Sequence, residues 1–400
     1  MKAILFSSPS NVNWVHNFIN ELRLSFERLG VECMVLEGSR FTQKEGGSII
    51  DRFRPDWTFS INQMFPQYLN KDGTMTTVYD AFQIPHYVYL VDNPFLWLTS
   101  KSINFDSRYL NVITIDNKDV LTDAGITRCE EILYGCPASL RKPHLQHPDC
   151  KAKRLLFAGS VGRASDEAEK IASLPGLTPE QKRATLNYCQ SIYERISTEK
   201  KFLKQNLLTE FYQTNTKNGL FDSEVKYNTQ MSESFACIER FYECLAREVI
   251  LGQFKQTNIP CLMAGDEKMA ELCQGAGSMQ YIGSLIYDSY INMIAQTGVS
   301  LNITPKHLRV HDRITSALMS GSLLVTTPVP KLVKEYPELA DIIIEAEFGS
   351  AEYLEKLNSV IADSGEYQRR IDAGAELAAK YFSWDSTAEK IISYVIKSSS

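Results

Sequence analysis

No stretch of this 400-residue chain is long and apolar enough to span a membrane. The most apolar segment, residues 87–98, is broken by Asp92, Asn93 and Pro94. The opening residues turn polar at Ser7, Ser8 and Pro9, too soon for the apolar core of a signal peptide. The nine cysteines are odd in number and contain no C-x-x-C pair, which excludes a disulfide framework and points to reduced thiols. Basic excess is also lacking. Forty-two Lys and Arg face 48 Asp and Glu, a formal net charge of -6, so no general nucleic-acid surface is expected. An anionic ligand must therefore meet a local cluster of donors. A structural metal is not expected either. His144-x2-His147-x2-Cys150 and His307-x3-His311 each fall short of four ligands. The expectation is a cytoplasmic protein with no transmembrane segment, compatible with peripheral contact at the inner membrane face.

What is present is an alternation of short apolar runs with helical patterns. Residues 2–6 predict a strand. Val15, Phe18, Ile19, Leu22, Phe26 and Leu29 then recur at helical spacing, and Gly30 closes that helix. Further strands are predicted at 31–36, 55–61, 85–91 and 112–115. Residues 135–153 hold Pro137, Pro143 and Pro148 among polar residues, as a linker would. A new first strand begins after Arg154, and the alternation restarts. A mostly helical stretch, residues 165–247, interrupts it, with a helix start at Thr178-Pro179-Glu180-Gln181. Strands follow at 259–264, 279–282, 299–303, 323–326 and 342–345, with helices at 286–295 and 310–320. Short buried strands alternating with helices predict parallel α/β sheets covered on both faces. The expected organisation is a domain at 1–140, a linker at 141–153, a second domain at 154–380 carrying the helical insertion, and a closing segment at 381–400.

In open parallel sheets, ligands bind at the carboxyl ends of the strands. In the second half those ends are glycine-rich or polar: Gly159-Ser160-Val161-Gly162-Arg163, Gly265-Asp266, Gly283, and Asn302 followed by Thr304. Glycines let backbone N–H groups approach a phosphate, and Arg163 could add a two-pronged contact. The plainer reading of each tip is a strand-terminating turn. Residues 300–327 are the most informative. Lys306, His307 and Arg309 lead into a helix starting near His311-Asp312-Arg313. Basic side chains at a helix N-terminus oppose its dipole, a cost that an anion bound between them would offset. In the first half, Asn62 and Gln63, Asp92, and His16 with Asn17 lie where strands end or a helix starts. Asp92 and His16 are the candidates for a general base, although Asp92 before Asn-Pro is equally a turn former.

Around residues 299–327 the sequence resembles the donor-binding segment of CgeB-type glycosyltransferases, a branch of the GT-B transferases related to glycosyltransferase family one. Asn302, His311, Arg313, Ala317, Leu318, Gly321 and Thr326 carry the likeness. Ile84-Pro85-His86 through Val91-Asp92-Asn93-Pro94, Gly283 with Leu285-Ile286-Tyr287, and Phe382-Ser383-Trp384 extend it more loosely. The resemblance implies two Rossmann-like domains facing a cleft, with the final helix returning to the first domain. It implies a nucleotide-sugar donor on the second domain, held by Gly159, Ser160, Arg163, Gly265, Gly283, Asn302, Thr304, His311, Arg313 and Ser316. It also implies transfer to the hydroxyl of a glycan, lipid-linked or protein acceptor on the first domain, without a metal or other cofactor. The chain departs from the pattern after Arg313. Ile314, Thr315 and Ser316 stand where many relatives carry a Glu, and the retaining E-x7-E signature is missing. A catalytically degenerate homologue acting as a partner subunit, or another nucleotide-sugar enzyme such as an epimerase, are the competing readings.

Overall fold

A computed structural model describes residues 1–8, 13–37, 43–62, 64–69, 75–92, 94–98, 103–141, 152–199, 207–221, 229–305, 310–348 and 351–398. The chain divides into two compact units. Unit 1 comprises Met1–Pro137 and Tyr381–Ser400, and unit 2 comprises Ala138–Lys380. Of the linker expected at 141–153, residues 142–151 lie outside the described residues.

Unit 1 opens with β1 (Lys2–Ser7), α1 (Asn13–Arg28), β2 (Glu32–Glu37), α2 (Gln43–Phe53) and β3 (Trp57–Ile61). A small antiparallel hairpin, β4 (Gln67–Leu69) and β5 (Met75–Thr77), precedes α3 (Val78–Phe82), β6 (His86–Leu90) and α4 (Phe95–Leu98). Then come β7 (Leu110–Thr114), α5 (Lys118–Asp123) and β8 (Cys129–Glu131). Six strands form one parallel sheet in the order β2-β1-β3-β6-β7-β8. Helix α1 ends as its sequence predicts, with Gly30 at φ +84°. Sequence periodicity missed α2, the hairpin and β8, which are too short or too polar to show a period.

Alternation along the strands sorts the core into two layers. Trp57, Phe59, Tyr87 and Tyr89 point to one face, where Phe26 of α1 meets Trp57 edge-on at 5.3 Å. Thr58, Ser60 and His86 point to the other. There the His86 ring stacks on Tyr79 at 4.9 Å and sits 5.0 Å from Phe65. The first face is closed by the chain's last helix. Trp384 packs against Phe18 at 5.1 Å, and Tyr394 against Tyr87 at 5.7 Å. Gly135 permits that closure, since a Cβ there would lie 2.5 Å from the Trp384 ring. Burying a side chain of this size contributes roughly 2–3 kcal/mol.

Unit 2 begins its sheet with β9 (Ala152–Ala158). Four helices follow: α6 (Ala164–Ser173), α7 (Pro179–Glu199), α8 (Leu207–Lys217) and α9 (Thr229–Lys255). A capping box starts α7, as its sequence predicts. The Thr178 N–H donates to Gln181 Oε1 at 3.0 Å, and the Gln181 N–H to Thr178 Oγ1 at 3.2 Å. The helical stretch continues past residue 247, because α9 runs on to Lys255 before the sheet resumes. The sheet adds β10 (Cys261–Ala264), β11 (Met279–Tyr281), β12 (Thr297–Asn302), β13 (Leu323–Thr326) and β14 (Ile344–Glu345). Between these run α10 (Glu267–Cys273), α11 (Tyr287–Gln296), α12 (Asp312–Met319), α13 (Pro330–Glu335) and α14 (Leu339–Ile342). The chain ends with α15 (Glu352–Ala362), α16 (Ser364–Tyr381) and α17 (Trp384–Ser398). The run expected as a strand at 342–345 is thus split, with Ile342 ending α14 and only Ile344–Glu345 pairing with β13. The strand order is β11-β10-β9-β12-β13-β14, all parallel.

Candidate active site

Each sheet has one place where the strand order reverses direction, and crevices for ligands open at such switch points. In unit 2 it lies between β9 and β12. In unit 1 it lies between β1 and β3.

At the unit 2 switch point, β9 ends in Gly159 and Ser160, and β12 ends in Asn302. Gly159 is held by its neighbour strand, its N–H donating to Ala264 O at 2.9 Å. Gly265 is required there. A Cβ on it would lie 2.1 Å from the Gly159 carbonyl oxygen. Its own carbonyl accepts from Ser284 Oγ at 2.7 Å and Tyr281 Oη at 3.1 Å, while Gly283 turns with φ +82°. Asn302 is fully buried and bridges by Nδ2 to Thr304 Oγ1 at 2.8 Å and Thr326 Oγ1 at 3.0 Å. Asn302 and Thr304 therefore shape the turn after β12 from inside. Ser316 is also buried, one turn behind Arg313. Lys306, His307 and Arg309 lie outside the described residues.

Helix α12 starts at Asp312. His311 is its N-cap, with Nδ1 accepting from the Arg313 N–H at 3.3 Å. The same nitrogen approaches Asp312 Oδ1. A neutral Nδ1 can accept the first contact, and a protonated one can donate to the second. Burial works to raise the Asp312 pKa, but His311 and Arg313 outweigh it and hold the carboxyl below its usual range. The Arg313 side chain reaches the β9 tip, where its Nη2 lies 3.4 Å from the place a Gly159 Cβ would occupy. Its Nη1 is buried and has no hydrogen-bond partner among the described residues.

Arg163, adjacent to the glycines in sequence, turns away. It is exposed and pairs with Glu271 at 3.1 Å. Its place is taken by two arginines that the sequence reading did not single out. Arg247 of α9 donates to the Ser160 carbonyl at 2.7 Å and Arg240 to Ser160 Oγ at 3.2 Å. Glu243 lies between them, paired with Arg247 and, at 3.3 Å, with Arg240. Arg247 is 2% exposed, and its Nε has no partner among the described residues. Burial and the nearby Arg313 and Arg240 charges lower its pKa, with Glu243 opposing them. A signal was available in the sequence. Phe241, Tyr242, Cys244, Leu245, Ala246, Ile250 and Leu251 around these charges are all buried, so Arg240, Glu243 and Arg247 stand out as charges set in a largely apolar, buried stretch of the helix.

At the unit 1 switch point, His16 lies between Ser7 Oγ, 3.2 Å from Nδ1, and Asn20 Nδ2, 3.1 Å from Nε2. Asn62 adopts φ +49° and directs its side chain across to the end of β6. Its Nδ2 donates to Asp92 Oδ2 at 2.9 Å, and its Oδ1 accepts from the Val91 N–H at 3.1 Å. His16, on α1 against the end of β1, and Asp92, just past β6, thus flank the tip of β3, with β1 and β6 about 10 Å apart. His86 does not belong to this edge. It is fully buried, with Nδ1 2.8 Å from Thr58 Oγ1 and Nε2 3.0 Å from Ser60 Oγ, and burial depresses its pKa to about 3.

Two parallel six-stranded sheets wrapped in helices match solved glycosyltransferases over the whole chain. One is a glycosyltransferase from Rickettsia africae ESF-5, 10% identical, covering 99% of this chain and 98% of its own, with TM-score 0.53. The chain has the GT-B fold. A second similar structure is Anabaena Alr3699/HepE in complex with UDP-glucose, 10% identical, covering 99% and 100%, with TM-score 0.54. A third is an alpha-glucosyltransferase in complex with UDP and a 13-mer DNA, 10% identical, covering 99% of each chain, with TM-score 0.52. Residues 240–393 match the family described as "Glycosyl transferase-like". The matched residues begin at Arg240 and include Arg247, Asn302, His311 and Arg313. No curated protein matches the sequence. No helix among the described residues is long and apolar enough to cross a membrane.

Proposed function

We infer that this protein transfers a sugar from a nucleoside-diphosphate sugar to an acceptor hydroxyl, with arginines in place of a divalent metal at the leaving group. One observation carries the reading. Arg313 lies against the glycine tip of β9 at the switch point, with a buried Nη1 that has no partner among the described residues. An unpaired buried guanidinium N–H is costly, and a phosphate oxygen would satisfy it. The motif around His311 and Arg313 supports a CgeB-type transferase as the finer assignment.

In the transfer, the acceptor O–H gives its proton to a base as its oxygen bonds to the anomeric carbon. The bond from that carbon to the phosphate oxygen breaks, and the diphosphate leaves with the electron pair. Fixed cations at the β9 tip stabilise that growing charge without reorganising. The same cations repel a divalent metal, which supports metal-independent transfer. Asp92 and His16 are the groups of unit 1 that could take the proton. Asp92 is the stronger of the two, because Asn62 orients its carboxylate, whereas both ring nitrogens of His16 are engaged by Ser7 and Asn20. Cysteines without a framework support a reducing, cytoplasmic setting.

UDP-glucose, bound by the Anabaena protein, is the first donor to try, followed by other nucleotide sugars. Slow donor hydrolysis unchanged by a chelator, with nucleoside-diphosphate affinity falling about 10–100-fold in Arg313→Ala, is the expected result. Turnover abolished by chelator would overturn the account of the leaving group. Tight nucleotide binding without any turnover would point to the degenerate reading.

A further inference from the structure

We propose that the helical insertion of unit 2 is part of the anion site itself: Arg240 of α9 binds one phosphate of the diphosphate directly, and Arg247 positions the Ser160 turn beneath it. The proposal rests on the transferase reading and extends it from one side of the β9 tip to both.

Arg240, Glu243 and Arg247 are spaced i, i+3 and i+7 and share one face of α9. That face is pressed against the strand tip. A Cβ on Gly162 would lie 2.6 Å from Cys244 Sγ and 3.4 Å from Arg240 Nη2, so only glycine lets the helix this close. The two arginines take hold of Ser160 by its carbonyl and its hydroxyl, one residue beyond the Gly159 that Arg313 touches. Cations therefore approach consecutive residues of one turn from two different helices. Two anionic groups joined by one bridging oxygen fit such an arrangement better than a single carboxylate does.

Charge bookkeeping supports this. Glu243 is the carboxylate shared by Arg240 and Arg247, Glu167 stands 3.8 Å from Arg240 while also holding Lys170, and Asp312 is engaged with His311. Two buried guanidinium nitrogens, Arg247 Nε and Arg313 Nη1, remain without an acceptor among the described residues. Arg247 is too buried to be spared for solvent, and it makes its contacts through Ser160, so it acts as a positioning residue. Arg240 is half-buried and can turn its guanidinium to a ligand without leaving Glu243.

The test is calorimetric binding of UDP, GDP, ADP and dTDP, each beside its free nucleoside, and of inorganic pyrophosphate. The proteins are the full chain and its Arg240→Met, Arg247→Met and Arg247→Lys variants. Arg240→Met is expected to lose about 10–100-fold in affinity for the preferred diphosphate and for pyrophosphate, while the nucleoside changes less than about twofold. Arg247→Met should raise the donor KM and weaken the diphosphate similarly, with partial recovery in Arg247→Lys. If Arg247→Met fails to fold with Glu243 paired to Arg240 alone, Arg247→Met/Glu243→Gln replaces it. Diphosphate affinity that survives in Arg240→Met overturns this proposal alone. So does a loss shared equally by diphosphate and nucleoside, or a lowered melting temperature with unchanged affinity. A wild-type chain that binds no nucleotide at all overturns the transferase reading and the proposal with it.

Discussion

His86 makes the acid stability of unit 1 calculable. Its imidazole is enclosed by Tyr79, Phe65 and Phe6 and bonded to the Thr58 and Ser60 hydroxyls, with no carboxylate in those contacts to stabilise a charge. Burial lowers its pKa from 6.5 to about 3. The folded unit therefore keeps His86 neutral where the unfolded chain protonates it. This contribution is fully present above the unfolded pKa and is lost as pH falls from about 6.5 towards 3. At 1.36 kcal/mol per pKa unit, the loss is about 2 kcal/mol at pH 5 and about 5 kcal/mol when complete. All four tryptophans, Trp14, Trp57, Trp97 and Trp384, lie in unit 1, so their fluorescence follows that unit alone. Urea unfolding read this way, at pH 7 and pH 5, should show wild type losing about 2 kcal/mol more than His86→Gln. Parallel losses in the two proteins, or an imidazole NMR signal titrating with a midpoint above about 5, would refute the reasoning.

Two further predictions concern the strand tips. Gly162→Ala should cost roughly 1–3 kcal/mol through overpacking against Cys244 Sγ, and Gly162→Ala/Cys244→Ala should regain much of it; thermal melts of the four proteins form the double-mutant cycle. Asn62→Ala removes a side chain that suits left-handed backbone and leaves the Val91 N–H without its acceptor, at a cost of about 2–3 kcal/mol. If Asp92 is the base, kcat in this variant falls by more than KM rises, and an unchanged kcat would remove Asp92 from that role.

The sheets were legible because each central strand is a short apolar run bounded by turn residues, as at residues 55–61, 85–91 and 323–326. Gly159, Ser160 and Arg313 stand out in the sequence because each lies at a strand end or a helix start, and the fold brings those ends together at the switch point. Side chains that reach this turn from mid-helix, or swing away from it, do not stand out. Arg163 stands beside the glycines in sequence but pairs with Glu271, while Arg240 and Arg247 reach Ser160 from about 80 residues away. Linear proximity to a glycine turn says little about a long side chain that can swing to a carboxylate. His86 shows the converse. It lies at the head of a strand, where polar residues often face solvent, but the register Thr58↔His86 places it opposite hydroxyls inside the core.

Unit 1 is assembled from both ends of the chain, with residues 381–398 closing the face that α1 and β3 leave open. During synthesis, its sheet leaves the ribosome first but must wait while about 240 residues of unit 2 are made, roughly 10–50 s at 5–20 residues per second. For that interval Phe18 and Tyr87 stand without Trp384 and Tyr394, an apolar surface open to chaperones or to self-association. Unit 2, one uninterrupted stretch, can fold within the same interval, so residues 384–398 dock onto a scaffold whose other parts have already settled.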